Sequence, residues 1–390
     1  MVKKVKDILL DDFWIMPATP EYLEVGVPYI TSKNIKNGKI DFSKANYISQ
    51  EAYETISKNR PILEGDILIS MIGTLGETAE VTKEDGAFYG QNMFLIRLNE
   101  AEVNKRYFLN FFKSDFVKRA LAGKQNQSTQ KYLKANHIED LQISVLPLDE
   151  QHIIAETLDK TQRIINKRKE ELLRLDELIK ARFVERFGNP VSNDKGWETA
   201  LCKNLMSKIG SGATPKGGKE SYCDEGISLI RSMNVYNNRF EYKDLAHITD
   251  EQAGQLDNVT IEKKDVLLNI TGASVARCCV VPDDLLPARV NQHVSIIRCK
   301  ERILSDFVCC MFTEDNYQRL LWNIATAGGA TREAITKQQI EELMLIVPPI
   351  ELQMQFINFV HQVDKSKAVI QKALDETQLL FSSLMQKYFG

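Results

Sequence analysis

A chain of 390 residues is too long for one ordinary hydrophobic core, and 43% hydrophobic with 26% charged residues is the balance of a globular protein with two or more domains. No apolar run approaches the roughly 18 residues a membrane span needs, and MVKKVKDILLDDFW has no apolar stretch ahead of its acids, so neither a membrane partner nor a signal peptide is expected. A net charge of −3 gives no global sign of a polyanionic partner, and seven cysteines, all after residue 200 and including two adjacent pairs, point to reduced thiols in a cytoplasm.

Residues 1–148 mix short β-rich runs (DILISMIG, MFLIRL, LQISVL) with Gly, Pro and Asn punctuation and helical stretches, which predicts a compact α+β domain. Within it, residues 104–134 carry eight basic side chains against the single acid Asp115, with aromatics interleaved from Tyr107 to Tyr132. Such a patch suits a polyanion; its plain alternative is a solvated helix face over a core of aromatics. From Asp149 to Phe187 there is neither Pro nor Gly, which predicts a long helix over 149–188. A second α+β domain is expected over 189–350, and a second Pro- and Gly-free helix over 351–390.

The two halves repeat each other. IEDLQISVLPLDEQ (138–151) lies over IEELMLIVPPIELQ (340–353), with six of fourteen positions identical at an offset of 202. PYITSKNIKNGKI (28–40) lies over SLIRSMNVYNNRF (228–240), GDILISMIGTLGETAEV (65–81) over KDVLLNITGASVARCCV (264–280), and YGQNMFLIRL (89–98) over VNQHVSIIRC (290–299). Both predicted helices keep a seven-residue apolar beat, through Ile154, Leu158, Ile165, Leu172 and Ile179 in the first and Phe356, Val360, Val363, Ile370 and Leu374 in the second. A seam of this kind needs a partner, and each helix is the obvious partner of the other. Thr161, Arg168, Lys367 and Thr377 interrupt it, either to set register or to face another protein. The predicted architecture is therefore two similar α+β domains separated by two long helices that pair as an antiparallel coiled coil, with pseudo-twofold symmetry. A helix of 38 residues is roughly 57 Å long, so such a molecule would read two similar things at a fixed separation.

No catalytic or metal constellation emerges. GSGATPKGGKES (210–221) has Ala213 where a phosphate loop needs Gly, and Glu220 where it needs Ser or Thr. The five histidines are scattered, and no Cys pair has zinc-site spacing. LPLDE and VPPIE lack the Asn or Asp before Pro-Pro that adenine methyltransferases use to hold the target amino group.

PLDEQHIIAETL (147–158), leading into a helix that ends LIKARFVERFGNP (178–190), resembles the specificity subunits of type I restriction–modification systems. The weaker copy PPIELQMQFINFV (348–360), GATP (212–215) followed by GISLIRSMNV (226–235), and ATPEYLEVGVPYITSKNI (18–35) extend the resemblance over essentially the whole chain. It departs at Leu352, Phe356 and His361, where the first copy has Glu150, Ile154 and Asp159. The resemblance implies a non-catalytic subunit whose two target recognition domains each read half of a bipartite double-stranded DNA sequence. It implies two methyltransferase subunits as partners, supplying S-adenosylmethionine chemistry on adenine, with endonuclease/translocase subunits joining them in the cytoplasm.

If DNA is the partner, base readout calls for Arg on guanine and Asn or Gln on adenine. Turn-like segments at equivalent places in the two copies supply Ser32, Lys33, Asn34, Thr74, Gln91, Asn92, Gln127 and Ser128, then Arg231, Asn234, Ser274, Arg277, Gln292, His293, Thr331 and Arg332. Lys105, Lys113, Lys118 and Arg119 are the phosphate candidates. Two other readings stay open: a coiled-coil scaffold joining two protein-binding modules, and a specificity subunit serving a fused methyltransferase–nuclease. DNA binding by the assembled complex separates the first from DNA recognition, and the identity of the partner chain decides the second.

Overall fold

The computed structural model describes residues 1–16, 20–72, 75–123, 132–215, 217–327 and 333–390. It divides into two compact units, one made of residues 1–169 with 372–390 and the other of residues 170–371. In unit 1 a four-stranded antiparallel sheet takes its strands in the order Trp14–Ile15, Met93–Ile96, Ile67–Ser70, Thr78–Glu80. A three-stranded sheet places Val27–Thr31 antiparallel to Asn46–Ile48 and parallel to Tyr89–Gln91. Ile35–Lys36 and Lys39–Ile40 form a hairpin turned by Asn37 and Gly38 at φ 53° and 78°, the left-handed pair that a two-residue hairpin needs.

Unit 2 repeats this topology strand for strand. Its four-stranded sheet runs Met206–Ser211, Val294–Cys299, Val266–Asn269, Cys278–Val280, and its three-stranded sheet centres on Ile227–Ile230 between Ala246–Ile248 and the parallel Ala288–Val290. The central strands read as unbroken apolar runs because both faces of the sheet are covered. Ile67, Ile69, Phe94 and Ile96 point into one core while Leu68, Met93 and Leu95 point into the other, and Val266 and Leu268 separate from Leu267 in the same way.

The long helices run Leu148–Phe187 and Ile350–Phe389. Within each unit their segments lie antiparallel. In unit 1, Ile154 and Leu158 share a core with Phe389, while the Arg168 guanidinium donates to the Ala373 carbonyl and the Thr377 hydroxyl. In unit 2, Lys367 Nζ sits 2.6 Å from Asp176 and Arg186 donates to Gln355 at 3.0 Å, with Phe183 and Phe187 packed on Phe356. Ile154, Leu158, Ile165, Ile179, Phe356, Val360, Val363 and Leu374 are buried, whereas Leu172 and Ile370 are half-buried. Three of the polar interruptions, Arg168, Lys367 and Thr377, bond across the pair, and Thr161 is buried with its hydroxyl on the Thr157 carbonyl. They set register. All seven thiols are free, and burial pushes Cys202 up to about 12.

Backbone hydrogen bonds revise two equivalences expected from the sequence. Gly76 donates to Ser70 at 3.1 Å and Ala276 to Asn269 at 2.9 Å, so Gly76 corresponds to Ala276 rather than Val275, and Glu77 to Arg277. Tyr29 pairs with Tyr89 as Leu229 pairs with Arg289, so Gln91 corresponds to Asn291 rather than Gln292. Asn92 and His293 accept from the equivalent amides of Met71 and Ile270, which leaves Gln292 as an extra residue in the second copy.

Candidate nucleic-acid interface

In unit 1 the loop Ser32–Asn34, the hairpin after it and Asn92 enclose an open concavity of about 670 Å³, to which Lys33, Lys36 and Lys44 contribute their cations. Sequence reasoning missed Lys36 and Lys44, because only the hairpin fold brings them beside the picked residues; the KNGK turn signal was the available clue. Asp41 lies 3.3 Å from Lys36, and its carboxyl is held below the usual range by the Ser43 hydroxyl and amide, then by Lys36. Lys33 and Lys44 are exposed and have no ion pair among the described residues. Asn34 does not face the concavity as a free amide. It is buried, its oxygen accepts from the Thr31 amide at 2.9 Å and its nitrogen donates to the Asp41 carbonyl at 2.8 Å. Ser32 donates to the Asn92 carbonyl, and the Gln91 amide donates to the Tyr22 hydroxyl at 3.1 Å. Asn92 is exposed in a left-handed turn at φ 59°, a conformation asparagine tolerates.

Unit 2 builds the same loop with different chemistry. Asn234 is buried and repeats Asn34, accepting from the Arg231 amide at 3.1 Å and donating to the Glu241 carbonyl at 2.9 Å. Arg231 stacks on Tyr222 with 5.5 Å between guanidinium carbon and ring centroid, and donates to the Asp244 carbonyl. At the hairpin position equivalent to Lys36 stands Tyr236, whose ring has Arg239 at 4.9 Å and Arg277 at 4.5 Å. Arg239 also lies 3.7 Å from Glu241. The Gln292 side-chain amide lies 3.2 Å from His293 Nε2, and the Thr271 hydroxyl lies 2.7 Å from its Nδ1. Thr214 hydrogen-bonds to the Gln292 oxygen, and Ser274 is half-buried in the turn before Arg277. Tyr236 and Arg239 were missed because only the folded hairpin and the neighbouring turn bring them together with Arg277.

The phosphate candidates divide. Burial works against the Lys105 charge, but hydrogen bonds to Glu80 and Glu100, each at 3.2 Å, outweigh it and hold its pKa above the ordinary value. Lys105 is thus already neutralised by its neighbours. Lys118 lies 3.3 Å from Asp115, while Lys113 and Arg119 are exposed. The interleaved aromatics Tyr107, Phe108, Phe111 and Phe112 are core residues. Thr74, Gln127, Ser128, Thr331 and Arg332 lie outside the described residues. Among the described residues no group of His, Cys, Asp and Glu could hold a metal, and no helix is long and apolar enough to cross a membrane.

Two copies of one α+β unit, each presenting a polar loop of its own chemistry and each packed on a segment of paired helices, define a recognition protein. The chain belongs to the family of type I restriction modification DNA specificity domains, whose sequence model matches residues 14–174 and again 195–377. It is a specificity subunit, a recognition component without catalysis of its own. It is similar to the putative type I restriction enzyme MjaX specificity subunit of Methanocaldococcus jannaschii, with 24% identity across 95% of this chain and 90% of that protein. The type I restriction enzyme EcoBI specificity subunit of Escherichia coli is 22% identical across 93% of this chain and 79% of its own length. Among solved structures, a type I restriction–modification S subunit from M. genitalium shares the fold at a TM-score of 0.59 and 13% identity, covering 100% of this chain and 96% of that one. A chain from a study of complex assembly and conformational transition in the type I R-M system does so at 0.61 and 17%, covering 100% of this chain and 97% of that one.

Proposed function

We propose that each unit reads one half of a bipartite, asymmetric double-stranded DNA sequence, and that the long helices set the gap between the halves and dock two methyltransferase subunits. Those partners bind S-adenosylmethionine and methylate adenine, and endonuclease/translocase subunits join them, all in the cytoplasm. The observation that carries this reading is the pairing of identical topology with unlike loops. Lys36, Lys39 and Glu77 occupy the places that Tyr236, Arg239 and Arg277 hold in the other unit. Equal frames with unequal contact residues suit two different half-sites. A fused methyltransferase–nuclease partner or a scaffold role has no observation in its favour.

Mapping N6-methyladenine across the host genome, with and without this gene, tests the proposal. Loss of methylation at one split motif is the expected result. Survival of every methylated motif, in a strain expressing an intact methyltransferase partner, would sink it.

The unit 1 concavity carries a second expectation. Changing both Lys33→Ala and Lys44→Ala should weaken DNA binding by the assembled methyltransferase about equally for all sequences. It should also make the slope of log affinity against log salt shallower by about 2, one phosphate contact per unpaired lysine. A salt titration of duplex binding by fluorescence anisotropy reads this directly. An unchanged slope would place both lysines off the DNA.

A further inference from the structure

We infer that Arg277 reads a guanine in the half-site taken by unit 2, held for that purpose over the ring of Tyr236. This rests on the DNA-recognition reading above. Arg277 closes the turn between Val266–Asn269 and Cys278–Val280, and its backbone is fixed to the sheet edge: its carbonyl accepts from Asn269 at 2.8 Å and its amide donates to Ser274 at 3.2 Å. Ala276 before it is buried in a left-handed conformation at φ 70°, which turns the chain and fixes where the arginine side chain leaves it.

The guanidinium lies 4.5 Å from the Tyr236 centroid and has no hydrogen-bond or ion-pair partner among the described residues. That combination is unlike the other described arginines of the unit. Arg289 and Arg298 spend their donors on Asp257 and Asp265, Arg231 on a carbonyl, and Arg239 has Glu241 at 3.7 Å. Stacking occupies the face of a guanidinium and leaves its donor edge open. A pre-oriented fork loses little freedom on binding, and guanine O6 and N7 are the two adjacent major-groove acceptors it fits. Unit 1 cannot make the same contact, since Glu77 and Lys36 stand in these positions. The platform therefore belongs to unit 2 alone among the described residues.

The test uses the specificity subunit assembled with its methyltransferase, and a set of duplexes carrying every single base-pair change in the mapped motif. Arg277→Ala is expected to weaken cognate binding ~10- to 100-fold and to erase the preference at one G·C pair of one half-site, with every other position still discriminated. Tyr236→Phe, which keeps the ring, should bind as wild type, and Tyr236→Ala should relax the same position as Arg277→Ala. Equal weakening for all sequences would make Arg277 a phosphate contact and overturn the inference, as would an unchanged preference. Wild-type assembly with no sequence preference would overturn the function itself, and the inference with it. Near- and far-UV circular dichroism of the free variants separates loss of readout from loss of fold.

Discussion

Asp265→Ala should destabilise unit 2 by about 3–5 kcal/mol, because it removes the fully buried carboxylate partner of a partly buried guanidinium. The Asp265 side chain is 0% exposed and receives three hydrogen bonds: from Arg298 Nε and Nη2, both at 2.8 Å, and from the Glu262 amide at 2.7 Å. These carboxylate bonds hold the Arg298 pKa above its ordinary value against the opposing effect of burial. Arg298 is 20% exposed and keeps Glu262 and the Thr260 carbonyl, so partial hydration moves the expected cost toward the lower end of that range. Unit 1 repeats the device with Asp66, which accepts from Arg97 at 2.7 and 2.8 Å and from the Leu63 amide at 2.8 Å. Urea unfolding followed by tryptophan fluorescence checks the prediction, since Trp197 and Trp322 lie in unit 2 and only Trp14 in unit 1. A loss under about 1 kcal/mol would mean that water satisfies the freed arginine.

The second large effect is expected at Gln353. Its side chain is fully buried at the start of the long helix and makes three bonds: its oxygen accepts from the Leu304 amide at 2.9 Å, and its nitrogen donates to the carbonyls of Pro348 at 2.8 Å and Arg302 at 3.2 Å. Gln151 makes the equivalent set with the Asn104 amide and the carbonyls of Leu146 and Glu102. One primary amide thus pins the first turn of each helix to the loop that precedes the helices at 105–112 and 305–312. Gln353→Ala leaves backbone groups without partners at about 1–3 kcal/mol each where water is excluded, so a net loss of about 3 kcal/mol is expected. Gln353→Glu should be no better, because it turns an acceptor toward two carbonyls. Hydrogen exchange resolved at the Leu304 amide gives the local reading: faster exchange there is expected in both variants, and unchanged protection would refute the pinning role.

The large-scale order was open to sequence reasoning because duplication supplies an internal control. The two similar α+β domains and both long helices follow from runs that recur at offsets of 199–202, and the polar seam residues announced themselves by breaking the heptad. What escaped were one-residue details. Where the offset drifts, matching by residue type slid Gly76 onto Val275 and Gln91 onto Gln292, and only the ladder hydrogen bonds fix the correct partners. Asn34 and Asn234 looked like adenine readers because buried loop-shaping amides and exposed ones are the same residue type. The Arg97–Asp66 and Arg298–Asp265 pairs were already present in the matched stretches. Their significance depends on burial, which no single sequence displays. Tyr236 and Arg277 are 41 positions apart and meet only once the hairpin is folded against the neighbouring turn.

The ring of Phe389 packs 5.1 Å from Tyr107 and 6.0 Å from Phe111, inside the core that holds Val5 and Ile8. Unit 1 is therefore discontinuous in the chain, and unit 2 is an insertion within it. During synthesis, everything unit 2 needs has been translated by residue 371, while unit 1 waits for residues 372–390. The ribosome completes unit 2 before unit 1, although unit 1 is begun earlier.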